Sequence, residues 1–383
     1  MSATDSLIYL DNNATTAVDP AVVEEMLPFL TRQYGNPSSP YRLGKESAKA
    51  IEVARTRVAK LIDSEPEEII FTSCGTESTN AAIHSALSID PDRQHVVTTR
   101  VEHSATLKTC EILAKKGCEI SWISVDEKGQ VDPAEVEKAV RSDTALLSVM
   151  WANNETGTIF PMEVLQNIAK AKGVYFHTDA VQAVGKVPIS LRSGFVQFMS
   201  ISGHKLHCPK GIGALYVNRK TRFAPYMTGG SQENFKRAGT QNVAYIVGFG
   251  KACEIAAAQI EDEAAKSKSL RDQFEEALLS QISRVRVNGD VDNRLPNTTN
   301  LSFENIDGEL LLQLLDDQNI ACSAGSACTA GSINPSHVLK AMGVTDKAAR
   351  SSLRFSLSRY NTKAEVIHAA EKIRQIVLKM RAL

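Results

Sequence analysis

The chain has 383 residues, of which 43% are hydrophobic, so it can form more than one core and two domains are expected. Its 43 lysines and arginines nearly balance its 44 aspartates and glutamates, and the net charge of −1 argues against electrostatic binding to nucleic acid or to a membrane surface. The first ten residues lack a basic region followed by an apolar core, and no stretch reaches about 18 uninterrupted apolar residues. We therefore expect a cytoplasmic protein without a signal peptide or a membrane span.

The seven cysteines are odd in number and show neither a disulfide framework nor a CxxC pair, which favours a reducing compartment. The two that lie nearest in sequence, Cys322 and Cys328, are separated by five residues, a poor match to structural zinc sites. No metal site is predicted.

The first third of the chain alternates short apolar runs with helical patterns. In chain order we predict a strand at 8–10, a helix that opens at Pro20 and continues over 21–30, a breaker-rich loop at 35–40, a helix at 45–61 and a strand at 68–72. Gly75 and Thr76 then follow at the start of a helix of small residues. Backbone N–H groups there, helped by the Thr76 hydroxyl, can hold a phosphate dianion. The alternative is an ordinary helix cap by Thr76 or Ser73 with nothing bound.

Further apolar runs at 96–97, 120–125, 145–151 and 174–176 alternate with helical patterns, which predicts an α/β fold with a parallel sheet. Ligands bind beyond the carboxyl ends of the strands in such sheets. The residues to consider are therefore those that follow the strands, namely His103, Asn153, Asn154, Asp179 and Lys205.

Asp179 ends one of these buried runs. A buried carboxylate is costly unless it is paired with a cation or well hydrogen-bonded, and the protonated pyridine nitrogen of pyridoxal phosphate (PLP) would be such a partner. Gln182, three positions later, could donate to the ring phenolate, and His103 could stack on the ring and move protons. The alternatives are that Asp179 caps a following helix and that His103 is an ordinary loop histidine.

Lys205 lies in a Ser/Gly/His turn between the apolar run 195–201 and a second strand-like run at 214–217. A lysine that holds a cofactor through its amine is expected in such a loop at a strand end. The turn alone means little, because most lysines are solvated surface charges. Together with Asp179 and the turn at Thr76, it favours PLP.

The second half of the chain begins with a glycine-rich loop at 229–240, in which Arg237 and Thr240 could close over an anion or form a simple connection. We then predict a long helix at 246–279, strands at 285–287 and 300–303, a helix at 308–315 and a closing helix at 363–383. Around Arg354 the alternation of apolar residues favours a strand, from which an inward arginine could clamp a carboxylate.

Residues 321–332 are a dozen small residues that contain Cys322 and Cys328. Such a segment buries little apolar area, so we expect a mobile loop in which Cys328 is an accessible thiol. Cys322 lies beside Ile320 and Ala321 and is expected to be a small buried hydrophobe instead.

Taken together, these motifs resemble the PLP-dependent cysteine desulfurases, the class V aminotransferase branch of PLP fold type I, over nearly the full length. The stretches that carry the resemblance are 9–16, 71–78, 149–157, 203–207, 323–329 and 354–359. Residues 323–329 are similar to the long-loop group that supplies iron–sulfur assembly, and 71–78, 149–157 and 203–207 most resemble the nitrogenase-associated NifS type.

The resemblance implies an α/β fold with two domains. The large PLP-binding domain, 16–255, is expected to contain a mainly parallel sheet of seven-stranded type. A smaller α/β domain is expected from 1–15 and 256–383 and should carry the catalytic-cysteine loop at about 321–335. The family also implies a homodimer.

Carried over position by position, the resemblance makes Lys205 the cofactor-holding lysine and Cys328 the nucleophile that becomes a persulfide. It makes His103 the ring-stacking acid and base, Asp179 the partner of the ring nitrogen and Gln182 the phenolate donor. The implied phosphate contacts are Gly75, Thr76, Ser202, His204 and, toward the partner subunit, Thr240. Asn154 is implied to contact the cofactor or substrate, and Arg354 to clamp the substrate carboxylate.

The implied activity converts L-cysteine to L-alanine and passes the sulfur to an acceptor such as an iron–sulfur scaffold protein. The alternatives are a selenocysteine lyase or an aminotransferase on the same fold and, outside enzymes, a catalytically silent scaffold or sulfur carrier. The chain departs from the family pattern at Tyr41, where histidine is common, at Gly203, where alanine is usual, and at Ser231 and Gln232, which replace a more glycine-rich version.

Overall fold

A computed structural model describes residues 7–324 and 335–382 as an α/β fold with three sheets. The strands are β1 (Ile8–Tyr9), β2 (Ile69–Thr72), β3 (His95–Thr99), β4 (Glu119–Ile123), β5 (Thr144–Ser148), β6 (Tyr175–Asp179), β7 (Phe198–Ser202), β8 (Gly213–Val217), β9 (Val285–Val287), β10 (Thr298–Phe303), β11 (Ile320–Ala321) and β12 (Ser352–Ser356). The α-helices are α1 (Pro20–Thr31), α2 (Arg42–Leu61), α3 (Gly75–Ile89), α4 (Ser104–Ala114), α5 (Pro133–Ala139), α6 (Met162–Lys172), α7 (Val243–Gln281), α8 (Gly308–Asp316), α9 (His337–Ala341), α10 (Asp346–Arg350) and α11 (Lys363–Ala382).

The central sheet has seven strands in the order β2-β8-β7-β6-β5-β3-β4. Strands β4, β3, β5, β6 and β7 run parallel, and β8 is antiparallel to both β7 and β2. Only β8 in this sheet therefore runs against the others, which confirms the predicted α/β class with a mainly parallel sheet. The carboxyl ends of β2, β3, β5, β6 and β7 consequently meet at one edge.

Helices cover both faces of this sheet, and the parallel strands β3, β5, β6 and β7 are accordingly buried over most of their length. On one face Ala82, Ile83 and Ala86 of α3 pack with Cys110 of α4. The opposite face packs against α1, α2, α6 and α7. This double cover fixes the strand ends in place, so the loops at the carboxyl edge start from rigid positions.

A third core lies around the two smaller sheets. One sheet is antiparallel in the order β12-β10-β9, and the other pairs β1 with β11 in parallel. Ile8 and Leu10 thus pack with residues from the end of the chain, such as Phe355. Helix α7 runs through both regions, and Val338 and Leu339 of α9 pack in the core of the large sheet. The domain boundaries stay a prediction.

Helix α7 lies against α2 so closely that a Cβ on Gly250 would be 2.5 Å from the Cα of Ala54. Among the described residues it is the one helix long and apolar enough, by length and composition, to cross a membrane. Half of that apolar stretch is buried inside the fold, and the core helix of a folded domain meets the same criterion.

Candidate active site

Lys205 lies in a short 3-10 helix, Gly203–Lys205, that begins directly after β7. Its Nζ donates hydrogen bonds to two backbone oxygens of the N-terminal segment, Asn13 O at 2.5 Å and Ala14 O at 2.7 Å. Thr16 ties the N-terminal segment to the residue before Lys205. Its backbone N and its Oγ1 each donate to His204 O at 3.0 Å. The lysine predicted from the sequence is thus half-buried at the carboxyl edge of the sheet, held by a segment nearly 200 residues earlier.

Asp179 is the last residue of β6, next to β7 in the sheet. Its Oδ1 accepts a hydrogen bond from Val181 N at 3.0 Å. Burial raises the pKa of its carboxyl, while the charges of His103 and Lys205 act to lower it. The structure therefore brings Asp179, His103 and Lys205 within electrostatic reach. A carboxylate this deeply buried gains most from a cationic partner, and a protonated ring nitrogen fits that need.

His103 is the N-cap residue of α4, and its Nδ1 accepts from Ala105 N at 3.2 Å. In the neutral ring the proton consequently lies on Nε2. The bond also makes His103 the cap of α4, a structural role that was not predicted for it and that coexists with its predicted site position.

The start of α3 forms a cradle of small residues at the same edge. A Cβ on Gly75 would lie 2.8 Å from Val181 Cγ2 and 3.4 Å from Ser202 Cβ, so the ends of β2, β6 and β7 converge there. The N-cap residue is Cys74, which makes no side-chain capping bond, and Thr76 is exposed. The alternative of an ordinary side-chain cap is therefore not the arrangement found. Uncapped N–H groups at a helix start suit a phosphate, so the cradle fits the cofactor.

His204 and Gln182 reach the site through the N-terminal segment. His204 Nδ1 lies 3.2 Å from Thr15 Oγ1, and burial, reinforced by the charge of Lys205, lowers the pKa of its imidazole to about 3. The ring is therefore neutral. Gln182 Nε2 donates to Asn13 O at 3.0 Å, the same oxygen that accepts from Lys205.

Arg354 lies in β12, as the alternation predicted, and is only 1% exposed. Its Nη1 donates to Asn154 O at 2.9 Å, and its Nη2 donates to Asp11 Oδ1 at 2.9 Å. Its buried Nε has no hydrogen-bond partner among the described residues. Asn154 and Arg354 are thus brought together, and the guanidinium keeps a donor for an added carboxylate.

Thr240 is exposed on the glycine-rich loop. Arg237 of that loop pairs with Glu77 in the first turn of α3, at 2.9 Å from Nε to Oε1. The loop is therefore tied to the phosphate cradle, although Thr240 is not joined to the other candidate residues by a contact described in the structure.

Cys328 lies outside the described residues. On one side of residues 325–334, Ser323 exchanges backbone hydrogen bonds with Arg354, at 3.2 and 2.7 Å. On the other side, Ser336 Oγ donates to Glu155 Oε2, and His337 Nε2 contacts the backbone oxygen of Glu102 at 3.0 Å. The chain thus leaves and re-enters the described fold beside Arg354, Asn154 and His103.

Sequence reasoning missed four polar residues at this edge: Asp11, Asn13, Glu102 and Lys186. Asp11 and Asn13 occupy the turn that contacts Lys205 and Arg354, and Glu102 directly precedes His103. For Glu102 the sequence did carry a signal, namely a charged residue at the end of an apolar run. No group of three or more His, Cys, Asp or Glu that could hold a metal is found within 7–324 and 335–382.

Comparison with known proteins agrees with this geometry. The model of the class-V aminotransferase family matches residues 8–368. A cysteine desulfurase of a Nostoc species is 50% identical over 99% of this chain and 94% of its own length, and cysteine desulfurase NifS of Azotobacter vinelandii is 50% identical over 98% and 93%. A solved structure of a NifS-like protein covers 97% of this chain and 100% of its own, with a TM-score of 0.92 and 40% identity. The structure of SspA in complex with cysteine has a TM-score of 0.82 and 33% identity, covering 93% and 100%.

Proposed function

We propose that this chain, which belongs to the class-V aminotransferase family and is a cysteine desulfurase, uses PLP to move the sulfur of L-cysteine onto Cys328. The observation that carries the proposal is the convergence of Lys205, Asp179 and His103 at the carboxyl edge of the sheet, beside the uncapped helix start at Gly75. A half-buried lysine, a buried carboxylate and an anion cradle in one place are the groups that PLP needs.

The residues proposed to hold the cofactor surround this point. Lys205 holds it through its amine, Asp179 keeps the ring nitrogen protonated, and Gln182 donates toward the phenolate. The proposed phosphate contacts are Gly75, Thr76, Ser202 and His204, with Thr240 of a second subunit. When bound, the cofactor supplies an electron sink for negative charge that develops on the substrate.

The chain's own groups supply the remaining steps. Arg354 and Asn154 hold the substrate carboxylate, because Arg354 Nε is a buried donor without a partner in the described part of the chain. Lys205 takes the α-proton of the substrate on Nζ, and His103 holds a proton on Nε2.

Cys328, as thiolate, attacks the sulfur of the substrate. A sulfur–sulfur bond forms at Cys328 and the carbon–sulfur bond breaks, its electron pair remaining on the carbon fragment. That fragment takes up one proton at Cβ, regains the α-proton from Lys205 and leaves as L-alanine. Cysteine and one enzyme thiol thereby give alanine and an enzyme persulfide, without an added oxidant or reductant.

We also propose a cytoplasmic homodimer that passes sulfur to an iron–sulfur scaffold protein, of the nitrogenase-associated type. The dimer is supported by exposed apolar side chains near Thr240, namely Phe235 at 72%, Tyr226 at 48% and Met227 at 41%. The acceptor is supported by the 50% identity to NifS of Azotobacter vinelandii.

The test is cysteine turnover assayed for both alanine and persulfide. Wild-type chain should form one alanine per sulfur released, and the purified protein should absorb visible light. Lys205→Ala should lose turnover together with the normal visible spectrum. Cys328→Ala should keep the spectrum and lose at least about 99% of sulfide release, because its nucleophile is absent.

Cys322→Ala is the matched control for Cys328→Ala and should keep most of the activity. Full sulfide release without Cys328, or an added sulfur on Cys322 alone by mass spectrometry, would contradict the proposed sulfur transfer. A colourless wild-type chain without turnover would instead support the silent scaffold.

A further inference from the structure

Lys186 lies in the turn that follows β6, four residues after Gln182. Its Nζ donates a hydrogen bond to Gln182 Oε1 at 2.8 Å and lies 3.5 Å from Asn13 Oδ1. The side chain is half-buried, and its amine points toward the site rather than toward solvent. The roles proposed above leave this second lysine without a function.

The contact fixes which way the Gln182 amide faces. In its charged form Lys186 has only donors, so the amide atom that then meets it is the oxygen, as the structure has it. The amide nitrogen is then turned to the other side, where it donates to Asn13 O at 3.0 Å. A glutamine held in this way presents N–H groups to the site, as a donor to a phenolate must.

The same network reaches Lys205. Asn13 O accepts from both Gln182 Nε2 and Lys205 Nζ, while the side-chain oxygen of Asn13 faces Lys186. Displacing Lys186 would therefore disturb Gln182 and Asn13 together, and through them the contact that holds Lys205.

The electrostatic surroundings of Lys186 are unusual for a lysine. Burial, together with the charges of Lys205 and Arg354, lowers the pKa of its amine to about 7, while Glu263 of α7 acts in the opposite direction. A small cavity behind the site adjoins the amine. The charged and titratable residues that line this cavity with Lys186 are Lys205, His207, Glu263 and Arg359.

We propose that Lys186 is a positioning residue of the site, which holds the Gln182 amide with its nitrogen toward the cofactor. The proposal rests on the proposed PLP chemistry. If Lys186 acts through Gln182, its effect on PLP binding should depend on Gln182, whereas a lysine that only contributes packing should not show this dependence.

The first test is a double-mutant cycle on PLP affinity, measured with the full-length chain after cofactor removal. Lys186→Met should weaken PLP binding by about threefold to tenfold, the effect of one lost hydrogen bond. Lys186→Arg keeps donors and charge, so it should stay within about twofold to threefold of wild type. In a Gln182→Leu background, Lys186→Met should add less than about a twofold loss.

The matched control is Lys170→Met, which removes an exposed lysine on α6 and should leave PLP affinity unchanged. The positioning role would be overturned if Lys186→Met caused the same loss of PLP affinity in the wild-type and Gln182→Leu backgrounds, or no loss in either. Failure of the proposed function would be visible in the wild-type chain as absent PLP binding or cysteine turnover. Failure of this inference would appear while PLP binding and cysteine turnover of the wild-type chain are intact.

The second test asks whether the Lys186 amine is buried, as its contact with Gln182 requires, and it needs no cofactor. Trace labelling of the wild-type chain with acetic anhydride, followed by mass spectrometry, gives the pH at which the amine is half reactive. Burial should place the midpoint of Lys186 near pH 7, roughly three pH units below the model-peptide value of about 10.4 for lysine. A midpoint at the model-peptide value would show a solvated amine and overturn the contact.

Discussion

Cys322 shows how burial decides which thiol near the site can react. Burial raises the pKa of its thiol above the ordinary range, and the negative charge of Asp11 acts in the same direction. Cys322 is therefore a thiol rather than a thiolate at neutral pH, and a poor nucleophile. The side chain is only half-buried, less than the apolar sequence around it predicted, and Cys328 stays the proposed carrier of the persulfide.

Glu102 is a second buried group whose protonation state the fold controls. Its Oε1 accepts from Met150 N at 3.0 Å and from Thr99 Oγ1 at 2.8 Å, while its Oε2 is without a partner in the described part of the chain. Burial, with a smaller contribution from the charge of Asp179, raises the pKa of the carboxyl to about 8. The carboxyl is therefore mostly protonated at pH 7, directly beside His103 in the chain.

We predict that Glu102→Gln makes the stability of the chain less dependent on pH. Between its ordinary pKa near 4.3 and about 8, the folded chain keeps a proton on Glu102 that the unfolded chain releases, so wild-type stability falls as pH rises. The contribution is at most about 1.4 kcal/mol per pH unit, and the glutamine variant lacks it. Urea unfolding at pH 5, 6.5 and 8 measures the difference.

The exposed Glu127→Gln is the control and should follow the wild-type pH profile. Parallel profiles for Glu102→Gln and wild type would show that the Glu102 carboxyl is ionised in the folded chain.

At the scale of elements, a buried ion pair joins α2 to the loop that contains Thr240. Arg55 Nη1 and Nη2 donate to the two carboxylate oxygens of Glu233 at 2.7 and 3.0 Å, and Phe71 N of β2 donates to the same carboxylate at 3.0 Å. Burial would raise the pKa of Glu233, but the bonds and charge of Arg55 outweigh it and the pKa lies below its usual value.

This pair holds a strained stretch of backbone. Glu233, Asn234 and Phe235 all lie in the left-handed region, with φ of 48°, 55° and 64°. Non-glycine residues rarely adopt it in succession, so the surrounding contacts must stabilise the loop. The loop that is proposed to reach a partner subunit is therefore held in position by Arg55 of α2.

We predict that Arg55→Met lowers the free energy of unfolding by about 3–5 kcal/mol, because it leaves the Glu233 carboxylate buried and unpaired. Arg55→Met combined with Glu233→Gln should recover part of that loss. Arg42→Met, whose partner Glu46 and whose own side chain are largely exposed, should cost less than about 1 kcal/mol. Denaturant unfolding measures the free energy of unfolding of each variant. Equal losses for Arg55→Met and Arg42→Met would refute the prediction.

Strong local patterns made several elements predictable. Apolar spacing indicated α2, and alternation around Phe355 indicated β12 and therefore the inward Arg354. The two-residue strand β11 was not predicted, because only its pairing with β1 makes it a strand. The short helices α5, α9 and α10 were also missed, since five to seven residues give too little periodicity.

At the scale of the whole molecule, the strand-end rule found His103, Asp179 and Lys205 because it depends only on sheet direction. It could not find Asn13 or Asp11, whose roles arise from contacts with Lys205 and Arg354 across about 190 and 340 residues. Nor could it find Lys186, which looks like one more surface lysine when only the sequence is known. Such contacts exist only after folding, so no local pattern encodes them.

The proposed dimer gives a prediction at this scale. Phe235 is 72% exposed, so Phe235→Asp should leave the stability of one subunit within about 0.5 kcal/mol of wild type. If the face near Thr240 is a subunit interface, the new charge should shift sedimentation toward monomer and weaken PLP binding at least tenfold. Ile367→Asp, an exposed apolar position on α11, is the control and should stay dimeric. A wild-type chain that is monomeric and fully loaded with PLP would rule the interface out.

The N-terminal turn that holds Lys205 also constrains the order of events during synthesis. Asn13 N donates to Ser356 Oγ, and its side chain donates to Thr298 Oγ1, so the turn is completed by residues that leave the ribosome some 285 to 343 positions later. The large sheet can form before then, because its strands are contiguous in sequence. Lys205 would then be present without the contacts that hold it. A nascent chain should therefore be unable to retain PLP tightly until β12 has emerged, and loading of the cofactor should be among the last steps of its maturation.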